Sequence, residues 1–90
     1  MSDRPAPPPQ RVRALLDFER DWVAHDGHKG VAIRQRFGVT PARYYQLLGQ
    51  AIDLPAALAY DPLTVRRLRR RRDQRRRRKV AQALGEGPGG

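Results

Sequence analysis

The stretch AIRQRFGVTPARYYQLL, at residues 32–48, decides the predicted fold. Gly38 stops the first of the two helices in this stretch and supplies the turn that follows. Thr40 then offers a side-chain oxygen to cap a helix, and Pro41 suits the first helical position because its missing N–H needs no partner there. Two helices are predicted around this turn, from Lys29 to Phe37 and from Pro41 to about Ile52.

The two predicted helices match the pattern of a helix-turn-helix, in which apolar contacts hold two short helices across a turn eased by glycine. The buried positions would be Ile33, Phe37, Val39, Tyr44 and Leu47. Such packing leaves the start of the second helix protruding, so that it can enter a DNA major groove about 12 Å wide. The same apolar spacing also occurs in three-helix bundles that bind no DNA.

The outward side chains of the second helix are the candidate base contacts. They are Thr40, Ala42, Arg43, Tyr45, Gln46 and Gln50. Arg43 can pair with guanine or with phosphate, whereas Gln46 and Gln50 can read adenine edges or bind the backbone. Arg34 and Arg36, on the preceding helix, are predicted to contact backbone phosphates.

A first helix is predicted from Val12 to His25, and Glu19 does not fit its amphipathic pattern. On a helical wheel the apolar side chains form one broad arc: Val12, Leu15, Leu16, Phe18, Trp22 and Val23. Glu19 lies inside this arc. Because a buried, unpaired carboxylate is costly, we expect Glu19 to be shielded and paired with an arginine, with Arg34 and Arg43 as candidates.

A last helix is predicted to begin near Leu63, after the cap-and-proline pair Asp61-Pro62. Leu63, Val65 and Leu68 would anchor its first turns on the core. The predicted fold is therefore all-α, a three-helix helix-turn-helix domain with a C-terminal arginine-rich helix.

A dense basic run follows the start of this last helix. Eleven of the fourteen residues from 66 to 79, RRLRRRRDQRRRRK, are basic. Residues 1–65 hold 8 basic and 7 acidic residues, a net charge of +1, whereas residues 66–90 hold 11 and 2, a net charge of +9. Charge of this density repels itself, and nucleic acid can supply the counter-charge; the alternative is a solvated tail that binds nothing. The candidate phosphate contacts are Arg66, Arg67, Arg69, Arg70, Arg71, Arg72, Arg75, Arg76, Arg77, Arg78 and Lys79.

Composition divides the chain into four parts. They are a proline-rich arm predicted to be disordered at 1–10, a helix-turn-helix domain at 11–65, an arginine-rich helix or tail at 66–84, and a flexible glycine-rich end at 85–90. PAALAY, at 55–60 within the domain, can form one or two helical turns. A chain of 90 residues predicts a single small domain without a deep enzyme cleft.

Composition also narrows the classes of function. The chain has no cysteine, which excludes disulfides, cysteine-ligated zinc and a thiol nucleophile. No apolar run resembles a signal peptide or is long enough to span a bilayer, so we expect a cytoplasmic protein with no membrane partner. His25 and His28 lack an evident third metal ligand beyond Asp21 or Asp26 and are expected to be solvated. No acid–base pair or phosphate-binding loop is recognisable, and we predict neither a cofactor nor an enzymatic activity.

Three segments resemble a family of small actinobacterial proteins catalogued as a domain of unknown function. They are LLDFERDW at 15–22, AIRQRFGVTPARYYQLL at 32–48 and DPLTVRRLRR at 61–70. The most specific part is the RFG motif at 36–38 followed by RYYQLL at 43–48. The resemblance covers about residues 12–72 and implies a helical, helix-turn-helix-like fold in an actinobacterial cytoplasm, but it implies no activity.

The basic run and the helix-turn-helix pattern together predict a DNA-binding protein, either a small transcription regulator or a nucleoid-associated protein. Double-stranded DNA is the expected partner. One alternative is a protein-interaction module that docks on RNA polymerase or another transcription component, with Trp22, Tyr44 and Tyr45 as aromatic anchors. The other is RNA binding by the arginine-rich segment, which can fold on contact.

Overall fold

The computed structural model of the protein describes residues 6–25 and 27–85. These residues form five α-helices and no strand: α1 (Gln10–Trp22), α2 (Lys29–Phe37), α3 (Pro41–Ala51), α4 (Pro55–Tyr60) and α5 (Pro62–Gly85). The all-α prediction is confirmed. Residues 1–5 of the predicted arm, Asp26, and residues 86–90 of the predicted flexible end lie outside the described residues.

The turn between α2 and α3 has the local chemistry that the sequence predicts. Gly38 adopts a φ of 67° and a ψ of 22°, and its N–H donates to the carbonyl of Arg34 at 2.9 Å. Thr40 caps α3, because its Oγ1 accepts the backbone N–H of Arg43 at 3.2 Å, and Pro41 is the first helical residue. Local capping therefore fixes the end of α2 and the start of α3.

The core lies where α1, α3, α4 and α5 meet, with α2 packed on α3. Its buried apolar side chains are Leu15, Leu16, Ile33, Tyr44, Leu48, Ala51, Ile52, Ala57, Val65 and Leu68. Phe18 and Phe37 close one side of this core against Tyr44, with ring centroids 5.7 Å and 5.3 Å from the Tyr44 ring. Aromatic packing at such distances adds to the burial of apolar area.

Two apolar side chains predicted to face the core are exposed. Val23, from the predicted apolar arc of α1, is 62% exposed, and α1 ends at Trp22, before the predicted His25. Leu63 is 78% exposed. The side chains of α5 that face the core are Thr64, Val65 and Leu68, and this phase turns Leu63 toward solvent. Thr64, which the sequence did not single out, is 2% exposed.

Helix α5 begins at Pro62 and continues for 24 residues without a break at the predicted boundary between residues 65 and 66. The carboxylate of Asp61 accepts the backbone N–H of Thr64 at 3.2 Å, which caps its start. A helix of this length spans about 36 Å. From Gln74 onward every described residue is exposed, so the second half of α5 projects from the core.

Candidate nucleic-acid interface

The six candidate base contacts share one accessible surface on α3 and its N-cap. Thr40, Ala42, Arg43, Tyr45, Gln46 and Gln50 are all exposed. Arg43 donates from Nη1 to Oε1 of Gln46 at 2.8 Å, so these two side chains form a polar pair one helical turn apart. The hydroxyl oxygen of Thr40 accepts a backbone bond, but its O–H proton can still be donated.

Tyr45 marks the edge of this surface nearest to α5. Its side of α3 borders a cleft between α3 and α5, whose walls include Lys29, Gly49, Arg71 and Arg75. The ring stands edge-on to Tyr44 at 5.1 Å, and Nζ of Lys29 lies 5.2 Å from the ring centroid. The cleft has a volume of about 180 Å³. This volume is below the range of about 300–1,000 Å³ that sites for small molecules usually enclose.

Arg34 and Arg36 are exposed in the last turn of α2. The guanidinium carbon of Arg36 lies 5.2 Å from the ring centroid of Phe37, a distance at which the ring face attracts a cation. Both arginines are therefore accessible to an anion on the α2 side of the turn.

The structure divides the basic run into docked and exposed side chains. Arg67 donates to the carbonyl of Glu19 at 3.0 Å, and Arg69 donates to the carbonyl of Ile52 at 2.6 Å. Arg72 binds the carboxylate of Asp53 at 2.8 Å. The first two bonds satisfy carbonyls near the C-terminal ends of α1 and α3, which lack partners within their own helices.

These contacts give Arg67, Arg69 and Arg72 a structural role, and the phosphate contacts predicted for them stay a prediction. On the helical wheel Arg67 and Arg69 flank Leu68, the last buried residue of α5, at about 100° on either side, and Arg72 follows it by about one turn on the same face. The remaining eight basic side chains of the run are exposed: Arg66, Arg70, Arg71, Arg75, Arg76, Arg77, Arg78 and Lys79.

Glu19 is shielded as predicted, but its predicted arginine partner is wrong. Its side chain is 3% exposed and forms an ion pair with Nζ of Lys29 at 2.8 Å. Tyr44 donates its hydroxyl to the same carboxylate at 2.5 Å. Arg34 and Arg43 point to solvent from the outer faces of their helices, whereas Lys29, the first residue of α2, lies beside α1. Burial, followed by the bond to Glu19, raises the pKa of Tyr44 far above its usual value.

A second groove lies between α1 and α2. Its volume is about 490 Å³, and Phe18, Trp22 and Ala32 contribute its apolar surface. Trp22 stacks on Phe18 at 5.5 Å and on His25 at 4.3 Å. His25 therefore packs on an indole ring while remaining exposed, and within residues 6–25 and 27–85 no group of three His, Cys, Asp or Glu residues is placed to hold a metal ion.

The fold and this surface define a small helical protein with one strongly basic projecting helix. The family described as "Protein of unknown function (DUF3263)" matches residues 9–80, so the protein belongs to that family. This agrees with the resemblance to a domain of unknown function that the RFG and RYYQLL motifs predict. Comparison with curated proteins and with solved structures gave no significant match. Among the helices of the described residues, none combines the length and apolar character needed to cross a membrane.

Proposed function

We propose that this protein is a non-enzymatic DNA-binding protein of the nucleoid, acting as a small transcription regulator or as a nucleoid-associated protein. The observation that carries the proposal is the set of eight exposed cations on α5, on a helix whose cleft with α3 adjoins the polar face of α3. Such a concentration of accessible charge favours a polyanion, since contact with phosphates releases the condensed counterions.

Within this proposal, α2 and α3 form a helix-turn-helix. Three residues, 38–40, separate the two helices, and the left-handed Gly38 allows the sharp change of direction that this motif requires. α1 and α2 both pack on α3, which supports α3 as the helix presented to the major groove. The actinobacterial cytoplasm implied by the sequence resemblance stays an expectation.

Each part of the surface has a distinct role in the proposal. Arg43, Gln46 and Gln50 carry the groups that can read base edges, whereas the cations of α5 contact phosphates and supply affinity without sequence information. Because most of the positive charge lies outside α3, we expect strong binding with modest sequence preference.

The test replaces Arg43, Gln46 and Gln50 together with alanine and measures affinity on a panel of duplex DNA sequences. A matched control replaces Gln10, Arg11 and Gln35 with alanine. It also removes one arginine and two glutamines, but from exposed positions on α1 and α2. If α3 reads bases, each lost bidentate contact costs about 1–3 kcal/mol on a preferred sequence and little on others. A uniform loss larger than that of the control would instead indicate a general DNA binder. If the α3 variant binds every duplex as tightly as the unaltered protein, α3 takes no part in the interface.

The alternatives make different predictions for the same protein. Docking on a transcription component predicts a stoichiometric protein complex that survives nuclease treatment. Of the aromatic anchors predicted for such docking, Tyr44 is fully buried, whereas Trp22 and Tyr45 remain partly accessible. RNA binding predicts that residues 61–84 alone prefer structured RNA to duplex DNA.

A further inference from the structure

Six of the seven exposed arginines of α5 lie on two different faces of the helix, and Arg76 lies on neither. Arg71, Arg75 and Arg78 follow one another at intervals of four and three residues and so form one stripe, which we call the inner stripe. Together with Gln74 they line a common hollow along the helix. Arg66, Arg70 and Arg77 form an outer stripe, which at 100° per residue is displaced by roughly 130° around the helix.

The inner stripe is continuous with the candidate DNA-reading surface. Arg71 and Arg75 line the cleft that Tyr45 borders on α3, and Arg71 also lines a hollow that reaches Lys29 and Trp22. A ligand that lies along the exposed side of α3 and extends past Tyr45 therefore meets the inner stripe first.

The inner stripe is long enough to contact several phosphates. Arg71 and Arg78 are seven residues apart, so the stripe extends over about 10 Å of the helix axis. One DNA strand carries a phosphate about every 3.4 Å along its axis, which places three phosphates in that length. Three arginines on one face can then engage three phosphates of one strand.

The neighbouring cations Lys29 and Arg72 contribute less free positive charge than the arginines of the inner stripe. Lys29 faces the same cleft but is paired with the buried carboxylate of Glu19 at 2.8 Å, so its charge is largely offset. Arg72 is bound to Asp53 at 2.8 Å. The free charge at the cleft with α3 is therefore carried by Arg71 and Arg75, and Arg78 continues the same stripe along α5.

We infer that α5 contacts DNA through its inner stripe, and that this stripe and α3 engage the backbone and groove of the same duplex. The inference rests on the proposed function and adds to it a defined phosphate-contacting face on α5. The outer stripe, with the same number of arginines on the same helix, makes no direct phosphate contact.

The test compares two full-length variants of equal net charge. One carries Arg71→Gln, Arg75→Gln and Arg78→Gln; the other carries Arg66→Gln, Arg70→Gln and Arg77→Gln. Glutamine keeps the helix propensity close to that of arginine, and far-ultraviolet circular dichroism verifies the helix in both. Affinity for a duplex of about 20 base pairs is measured as a function of salt concentration.

Loss of three phosphate contacts should reduce the steepness of the log–log salt dependence by about 2.7 for the inner-stripe variant, and by less than about 1 for the outer-stripe variant. Equal reductions in the two variants, or a larger reduction from the outer stripe, would overturn the inference while leaving DNA binding intact. Absence of duplex binding by the unaltered protein would instead overturn the proposed function, and the inference with it.

Discussion

At the residue scale, Glu19 brings a negative charge into the core, and the fold compensates for it locally. Lys29 supplies the opposite charge and Tyr44 a hydroxyl donor, both within 2.9 Å of the carboxylate. A buried carboxylate with two such partners is tolerated, but removing any one partner leaves a polar group without a bond inside the protein. The network also joins α1, α2 and α3 at one point.

Replacing Glu19 with alanine should lower the free energy of unfolding by about 1–3 kcal/mol, because the buried Tyr44 hydroxyl then lacks its acceptor. Chemical denaturation measures the change. The matched control is Asp21→Ala on the same helix, which removes an exposed carboxylate and should change stability by less than about 0.5 kcal/mol. Equal effects from the two substitutions would show that the Glu19 network does not stabilise the fold.

The buried phenol of Tyr44 should make the protein less stable to unfolding at high pH. Its pKa is raised in the folded state, first by burial and then by the bond to Glu19. The neutral phenol is therefore favoured by folding, and this contribution is fully present below the ordinary tyrosine pKa of about 10 and declines as the pH rises above it. Denaturant unfolding at pH 8 and pH 11 should show a smaller decline for Tyr44→Phe than for the unaltered protein. Parallel declines would contradict the raised pKa.

At the element scale, the turn between α2 and α3 depends on the backbone conformation of Gly38. A Cβ at Gly38 would meet no atom within 4 Å, so Gly38→Ala should be destabilising by about 1 kcal/mol through its positive φ alone. Gly49 provides the matched control, because it lies inside α3 with equally open space around its Cα. Gly49→Ala should stabilise the protein by about 0.5–1 kcal/mol. Thermal unfolding of both variants measures the sign of each change in stability. A Gly38→Ala variant as stable as the unaltered protein would refute the left-handed turn.

Helix α5 combines a docked half and a projecting half, and truncation can separate them. Ending the chain after Gln74 retains Arg69 and Arg72 with their bonds to Ile52 and Asp53, so the melting temperature should stay within a few degrees. Ending it after Leu68 removes both bonds and should cost about 1–2 kcal/mol, or roughly 4–15 °C in melting temperature. Equal melting temperatures for the two truncated chains would show that these arginines do not hold α5 in place.

The sequence predicts the elements of this fold better than the contacts between them. The ends of α2 and α3 follow from Gly38, Thr40 and Pro41, whose effects are local. The partner of Glu19 depends instead on how α1 and α2 meet, which brings Lys29 at the start of α2 to the carboxylate, and helical-wheel positions within single helices do not give this contact. The division of the basic run into docked and exposed arginines is not predicted for the same reason, since it depends on which face of α5 packs against the core.

At the scale of the whole molecule, charge is strongly polarised. The segment 66–90 has a net charge of +9, and the described part of that segment belongs to α5. Such a distribution orients the protein as it approaches a polyanion and speeds association at low salt. In our account, α5 supplies this attraction and the polar face of α3 supplies whatever base selectivity the protein has.

The salt dependence of binding to duplex DNA tests this account most directly, using the full chain and the chain ended after Gln74. The truncation removes Arg75, Arg76, Arg77, Arg78 and Lys79 but keeps the contacts that dock α5. Each lost phosphate contact reduces the steepness of the log–log dependence by about 0.9, so we predict a reduction between about 2, if only Arg75 and Arg78 contact phosphates, and about 3.6, if Arg76 and Lys79 do so as well. The same steepness for both chains, with both still folded, would contradict the claim that α5 binds DNA.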